Sequence, residues 1–207
     1  RFLVDYQKIQ RSVVAKKKVI GISLCRHIYH PDKPYRDNYK KIVQDLAILI
    51  YNLVKLGFLV VLVPFNTKPL AGCDVTLNKE NDTLIQADVM ALLSDTVLPS
   101  VMNIDYTIHL DEMLALYPLF HAMIPMRFHA TLFCVYTGVP MIPIYTTKKI
   151  RNFLAEISWK YDYMMDKNEK DLPTKFDRKR FMWLFNELMK PVNYAEGKRC
   201  LLRAYQE

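Results

Sequence analysis

The sequence lacks the residue patterns that build disulfide frameworks and metal sites. Its cysteines, Cys25, Cys73, Cys134 and Cys200, are far apart, and none forms a C-x-x-C pair. We therefore predict reduced thiols, an intracellular, cytoplasmic protein and no zinc site. No group of histidines, cysteines and carboxylates has metal-ligand spacing, so we expect neither a metal nor a resident cofactor.

A leader peptide and a membrane-spanning pattern are also missing. The chain opens on Arg1, without a signal peptide, and we expect it to be a fragment of a longer protein. The apolar stretch 46–65 is interrupted by Lys55, Gly57 and Pro64. A bilayer crossing needs about 20 consecutive apolar residues, so we predict no transmembrane segment.

Acidic residues are outnumbered by basic ones. The chain has 29 Lys and Arg against 21 Asp and Glu, a formal charge of +8. This balance fits an anionic partner such as a phosphate, an acidic glycan or a membrane surface, and it fits equally well surplus cations that coat solvated helix faces. No basic arm with interleaved aromatics occurs, so nucleic acid is not expected as a partner.

Apolar runs alternate with amphipathic stretches along most of the chain. The runs predict strands at 18–24, 58–63, 101–104, 121–124 and 139–145. Three- and four-residue spacing predicts helices at 39–56, 83–93, 108–116, 128–136, 148–157, 177–190 and 194–205. Alternation of this kind favours an α/β fold, a Rossmann-like parallel sheet flanked by helices, with extra helices at the C-terminus.

The pattern divides the chain into three parts. Residues 1–17 mix apolar and basic residues without a clear period, and we interpret them as a connector. Residues 18–157 form the Rossmann-like domain, and residues 158–207 form a helical extension. The amphipathic helix 177–190 packs either on this domain or on a domain outside the chain.

Four charged or titratable residues follow predicted strands. Arg26 lies two residues beyond the first strand, Arg127 and His129 lie just past the fourth, and Lys148 follows the fifth. In a doubly wound sheet the strand order reverses between the first and fourth strands, and ligands bind at that reversal. We therefore expect the four residues to converge on one crevice.

The residue types suit an anion held beside a proton-transfer group. An arginine fork binds carboxylate or phosphate through two parallel hydrogen bonds. A helix beginning at Phe128 adds free backbone N–H groups and the positive end of its dipole. His129, in the first turn, would exchange a proton with the bound group. Taken singly, each residue also has a structural explanation as a surface, capping or core side chain.

Several motifs in this order resemble a known family. Residues 127–130 (Arg-Phe-His-Ala), 137–140 (Thr-Gly-Val-Pro) and 145–148 (Tyr-Thr-Thr-Lys) resemble the C-terminal signature of polysaccharide pyruvyltransferases. Residues 21–24 (Gly-Ile-Ser-Leu), followed closely by an arginine, resemble the first strand of the same half. The similarity covers about residues 18–157, and it departs from the family where Cys25 precedes the arginine.

The resemblance implies a fold, a reaction and roles. The family resembles two-domain GT-B glycosyltransferases, and this chain would be the C-terminal half of a polysaccharide pyruvyltransferase. Such enzymes transfer a pyruvyl group from phosphoenolpyruvate to a pair of sugar hydroxyls, giving a ketal. Arg26 and Arg127 would hold the phosphate and carboxylate, His129 would be the general acid or base, and Lys148 would add positive charge. The partners would be phosphoenolpyruvate, a glycan acceptor and an N-terminal domain, since the family's glycine-rich first domain has no counterpart here.

Two other functions stay open. One is the half of a GT-B-like glycosyltransferase that uses a nucleotide sugar, which would want a carboxylate for the ribose near the fourth and fifth strands. The stretch 140–149 offers none. The other is a non-catalytic binding or structural protein that kept the fold, which would be favoured if Arg127 and His129 were held in internal salt bridges.

Overall fold

The computed structural model describes residues 2–29, 33–66, 81–104, 109–145, 147–167 and 173–206. Cys73, which the sequence predicts to be reduced, lies outside these ranges, and so does residue 108, the first of the predicted helix 108–116. None of the helices in the described ranges combines the length and apolar character that a bilayer crossing requires.

A parallel sheet of four strands forms the centre of the chain. Its strands pair in the order β3-β2-β1-β4, with β1 in the middle pairing in parallel with both neighbours. The predicted reversal of strand order between the first and fourth strands is therefore confirmed. The strands are β1 (Val19–Ser23), β2 (Leu59–Leu62), β3 (Val101–Asn103) and β4 (Ala122–Pro125).

The predicted fifth strand forms in part. Its first half runs beside β4, where the Met123 N–H donates to the Pro140 carbonyl at 2.9 Å and the Ile142 N–H donates to the Met123 carbonyl at 2.9 Å. Regular pairing is confined to β5 (Ile144–Tyr145), which pairs in parallel with β6 (Tyr163–Met164). Pro140 lacks an N–H, and so does the proline at 143, so this segment cannot make a continuous ladder. A small antiparallel pair follows, β7 (Asp166–Lys167) with β8 (Pro173–Lys175).

Helices cover the sheet, so the predicted fold class, an α/β fold with a parallel sheet flanked by helices, is confirmed. They are α1 (Phe2–Val14), α2 (Lys33–Lys55), α3 (Asp82–Met90), α4 (Leu110–Leu116), α5 (Phe128–Thr137), α6 (Lys148–Glu156), α7 (Arg178–Met189) and α8 (Pro191–Gln206). Gly138 ends α5 at a φ of 65°, a left-handed conformation that glycine adopts without steric cost.

The N-terminal segment differs from the prediction. Residues 1–17, interpreted as a connector without period, contain the helix α1. Ile9 is completely buried, and Phe2 and Tyr6 pack against the core beside it. These three residues are spaced at four and three positions, so they share one helix face. The exposed Leu3 and Val4 between them hid that period in the sequence.

The C-terminal helices pack on this same domain. Phe185 of α7 is buried and contacts Phe58, which precedes β2, edge to face at 5.6 Å between ring centroids. The Arg178 guanidinium pairs with Asp45 of α2 at 2.8 Å. The Tyr194 hydroxyl of α8 donates to the His121 carbonyl at 2.7 Å. Of the two predicted placements of the helix at 177–190, the structure shows packing within the domain.

His121, just before β4, lies between two aromatic rings. Its imidazole stacks on Tyr194 with 4.6 Å between centroids and faces Phe58 at 6.4 Å. Burial, followed by the nearby ammonium groups of Lys18 and Lys198, lowers the pKa of His121 to about 4. The folded protein therefore holds this histidine neutral under mildly acidic conditions.

We predict that this histidine makes folding stability fall with acidity. Below about pH 6.5 an unfolded chain protonates the imidazole while the folded protein resists protonation, so stability is lost as pH falls toward 4. His121→Phe keeps an aromatic ring and removes the titration. The melting temperature should fall less between about pH 7 and pH 5 in His121→Phe than in the wild type. Equal slopes by circular dichroism would contradict the prediction.

Candidate functional site

An open crevice of about 310 Å³ lies where the carboxyl ends of β1, β4 and β5 meet. Its walls come from the turn after β1, the segment 126–129 that starts α5, and the end of β5 with the start of α6. The lining residues in the first and last of these are Cys25, His27, Ile28, Ile144, Tyr145, Thr147, Lys149 and Ile150. Because β1 and β4 are the strands at which the order reverses, the crevice occupies the position where doubly wound sheets bind ligands.

Arg127, the residue before α5, is engaged inside the protein. Its Nη2 contacts Asp82 Oδ1 at 2.5 Å, and its Nε lies 3.2 Å from Oδ1 and 3.1 Å from Oδ2. The remaining terminal nitrogen, Nη1, lies 3.0 Å from His27 Nε2. The planar fork is therefore shared between a carboxylate and an imidazole, and only 13% of the side chain is exposed.

Asp82 is completely buried and joins three segments of the chain. Besides Arg127, its Oδ2 accepts from the backbone N–H groups of Phe65 at 3.1 Å and Asn66 at 3.0 Å. Burial raises the pKa of this carboxyl, and the Arg127 guanidinium and the two N–H groups oppose that rise. Hydrogen-bonding capacity on both oxygens is thus satisfied, which a buried carboxylate requires.

Asp82 immediately precedes the predicted helix 83–93, a position that predicts a helix cap. In the structure Asn81 is the cap of α3, and its side chain accepts from the Thr83 N–H at 3.0 Å. Asp82 occupies the first helical position and turns inward. The available signal was an aspartate in a first helical turn, which usually serves the helix dipole and so did not point to a partner 45 positions away.

His129 lines the crevice from the first turn of α5, and its side chain is exposed. Lys148 begins α6 and is also exposed, but the crevice wall there is formed by its neighbours Thr147 and Lys149. The Lys149 ammonium lies 4.0 Å from the centroid of the Phe128 ring. Successive helical residues are rotated by about 100°, so Lys149 points to the crevice where Lys148 was expected.

Arg26 lies away from the crevice, contrary to prediction. It is 5% exposed and its guanidinium carbon sits 4.5 Å from the centroid of the Tyr29 ring. It lines a separate cavity between α2 and α3, together with Tyr39 and Asp88. The short 3₁₀ turn after β1 explains the difference, because it directs Cys25 and His27 to the crevice and Arg26, between them, to the other cavity.

The expected convergence therefore holds for Arg127 and His129 and not for Arg26 and Lys148. The structure adds Cys25, His27 and Lys149 to the crevice wall. His27 was visible in the sequence as part of a polar loop, but nothing in that loop distinguished it from Arg26. The binding and catalytic roles given to the four residues stay predictions.

Comparison with known proteins gives the fold and no closer relationship. No family model matches the chain, and no curated protein matches it. The UDP-GlcNAc 2-epimerase from Neisseria meningitidis, solved with UDP-GlcNAc, aligns with 97% of this chain at 15% identity and a TM-score of 0.53. A UGT transferase from Siraitia grosvenorii, solved with UDP, aligns with 99% at 12% identity and 0.52. The glycosyltransferase SnogD from Streptomyces nogalater aligns with 92% at 16% identity and 0.50.

These neighbours define the class of fold. The chain has the α/β architecture of GT-B glycosyltransferases, as the sequence predicted, and identities this low carry the likeness no further than the fold. The chain spans 46%, 42% and 39% of the lengths of the three neighbours.

The buried pair generates a prediction about stability. Arg127→Ala would leave the Asp82 carboxylate buried and short of its main partner, so we expect it to lower the free energy of unfolding by about 3–5 kcal/mol. Urea denaturation followed by circular dichroism measures the loss.

An exposed ion pair supplies the control. Lys160 and Glu196 contact at 3.2 Å, with 74% and 52% of their side chains exposed. Lys160→Ala should cost less than about 1 kcal/mol, because water and salt screen such pairs. Equal losses for Lys160→Ala and Arg127→Ala would show that the buried pair does not organise the fold.

Proposed function

We propose that this chain is the nucleotide-sugar-binding half of a GT-B-type glycosyl-transferring enzyme, and that the crevice holds the donor's diphosphate. The observation that carries the proposal is the helix start of α5, which opens into the crevice between β1 and β4 with His129 in its first turn. A ligand pocket at this place in an open sheet is the default expectation for α/β proteins.

The helix start supplies donors for an anion. Intrahelical bonding begins with the Thr131 N–H, which donates to the Arg127 carbonyl at 3.1 Å. The N–H groups of the preceding turn, at Phe128 to Ala130, have no intrahelical acceptor. With the helix dipole they favour a phosphate, and the exposed His129 imidazole and Lys149 ammonium lie on the crevice wall beside them.

Arg127 acts on this proposal as a positioning residue. Its guanidinium binds Asp82 and His27, so its contribution is to hold the start of α5 and the turn after β1 together. A phosphate contact through the same fork would have to displace a buried carboxylate. Anion recognition therefore falls to backbone N–H groups, His129 and Lys149.

The chemistry that such a site supports is departure of a nucleoside diphosphate. An acceptor hydroxyl attacks the anomeric carbon of the sugar, the bond from that carbon to the diphosphate oxygen breaks, and the electron pair leaves with the diphosphate. Donors aimed at that oxygen stabilise its developing charge. The proton of the acceptor hydroxyl passes to a general base or to solvent.

We predict that UDP and UDP-sugars raise the melting temperature of the wild-type chain. His129→Glu adds a negative charge beside the α5 start and should abolish that rise. Gln10→Glu makes the same charge change on an exposed position of α1 and should keep it. Differential scanning fluorimetry and isothermal titration calorimetry measure both effects. Failure of UDP and its sugars to bind the wild type would contradict the proposal.

A second candidate is pyruvyl transfer from phosphoenolpyruvate. The observation that favours it is the Arg-Phe-His-Ala motif, since His129 lies in the crevice where a general acid is required. The commitment of Arg127 to Asp82 and the position of Arg26 outside the crevice weigh against a two-arginine clamp.

Phosphoenolpyruvate distinguishes the two candidates. If the crevice is a diphosphate site, phosphoenolpyruvate should shift the melting temperature much less than UDP at equal concentration. A larger shift with phosphoenolpyruvate, lost in His129→Glu, would favour pyruvyl transfer. If neither ligand binds, the result favours a non-catalytic binding or structural protein. One of the two features expected of such a protein is present, because Arg127 is held in an internal salt bridge.

A further inference from the structure

Helix α2 carries a continuous stripe of exposed side chains in which charged, polar and apolar residues follow one another along the helix. Six exposed residues, each three or four positions after the last, form it, and they are Arg36, Lys40, Gln44, Ile48, Tyr51 and Lys55. Residues at this spacing lie on one face of a helix. The stripe runs for about 28 Å at about 1.5 Å per residue. Its ends are basic, and Ile48 and Tyr51 form an apolar section between them.

The turn that follows α3 makes this stripe one wall of a groove. Leu92 and Leu93 stand beside Ile48 and Tyr51 around an apolar hollow of about 420 Å³. Three of these side chains are unusually exposed for large apolar residues: Ile48 at 38%, Tyr51 at 42% and Leu92 at 52%. Contributions from two elements to one exposed apolar strip are typical of a binding surface.

Cations flank the apolar hollow on both sides. Toward the start of α2 it adjoins a second cavity, which shares Gln44 and Leu92 with it and is lined by Arg36 and Lys40. Toward the end of α2 the Lys55 ammonium lies 5.5 Å from the centroid of the Tyr51 ring.

One acidic side chain lines the adjoining cavity. Asp88 accepts a hydrogen bond of 2.5 Å from the Tyr39 hydroxyl, and the buried Arg26 guanidinium lies in the same cavity. The lining there therefore has more positive than negative groups.

The opposite side of α2 packs against the rest of the domain. Its buried residues include Ile42, Leu46 and Leu53, which pack in the core. The neighbouring row, with Lys41 and Asp45, faces the start of α7, where Asp45 pairs with Arg178. The stripe is thus a third face of α2, distinct from the face packed in the core and from the face next to α7.

We propose that this groove binds an acidic amphipathic helix of a partner protein. An amphipathic helix seats its apolar residues in a groove through positions spaced at three and four. Here the apolar centre would take about two turns of leucine-like side chains, and the basic ends would pair with carboxylates about four turns apart. Opposite charges at both ends set the register and direction of such a helix.

Charge decides between this occupant and a second copy of the chain. The chain carries a net charge of +8, so two copies repel one another, and a groove with basic ends offers a copy little complementarity. The open shape of the hollow suits a helix laid across it. Binding of this partner leaves the crevice at β1 and β4 free.

The test uses a labelled peptide of about 20 residues with glutamates at both ends and leucines in the centre, matched to the stripe. Fluorescence anisotropy should show binding to the wild type. Lys40→Glu should weaken it about tenfold, which corresponds to about 1.4 kcal/mol. Lys41→Glu, the same change one residue along on another face of α2, should leave it unchanged. A peptide with lysines in place of the glutamates should prefer Lys40→Glu.

Each other outcome overturns the proposal. Equal weakening by Lys40→Glu and Lys41→Glu would mean non-specific attraction to a basic protein. No binding of the acidic peptide at about 0.5 mM would remove the groove as its site, and so would full binding by Leu92→Ser. Self-association of the wild type that Leu92→Ser abolishes, seen by light scattering, would assign the groove to a second copy.

Discussion

The buried ion pair between Asp82 and Arg127 is the constraint on which the candidate site depends. Asp82 holds the turn after β2 through two backbone N–H groups and holds the start of α5 through the arginine fork. Removing one partner would strand a charge away from water, so the segments stay together or separate together. The pair therefore ties the start of α3 to the two segments that line the crevice, the β1 turn and the α5 helix start.

This use of Arg127 changes how anions are recognised nearby. The Arg127 guanidinium is already paired with a carboxylate and an imidazole, so it positions the neighbouring segments more than it attracts a ligand by its charge. What remains for a ligand is a helix start, an exposed histidine and a lysine on an apolar wall. Backbone N–H groups and a dipole suit the spread charge of a phosphate, and they require no side chain to leave another partner.

Much of the architecture was predictable from local pattern. Apolar runs marked four parallel strands, and three- and four-residue spacing marked the helix α5. The pattern failed where a feature depends on distant residues. The apolar face of α1 was not recognised, because the exposed Leu3 and Val4 obscure its spacing. The strand near Pro140 is interrupted, because its prolines lack the N–H donors that a ladder needs. Of the predicted site, the strand-end position of His129 followed directly from chain order.

Sequence alone determined the class of fold, because hydrophobic period and glycine or proline punctuation act over a few residues. It also determined that an arginine and a histidine stand at a helix start beside the strand reversal. Tertiary structure decided which side chains are available there. The Arg26 side chain lies in another cavity, and Lys149 lines the crevice where Lys148 was expected. Arg127 pairs with Asp82, which is 45 positions away in the sequence. Side-chain direction in a turn, and pairing between distant segments, depend on packing that no local pattern encodes.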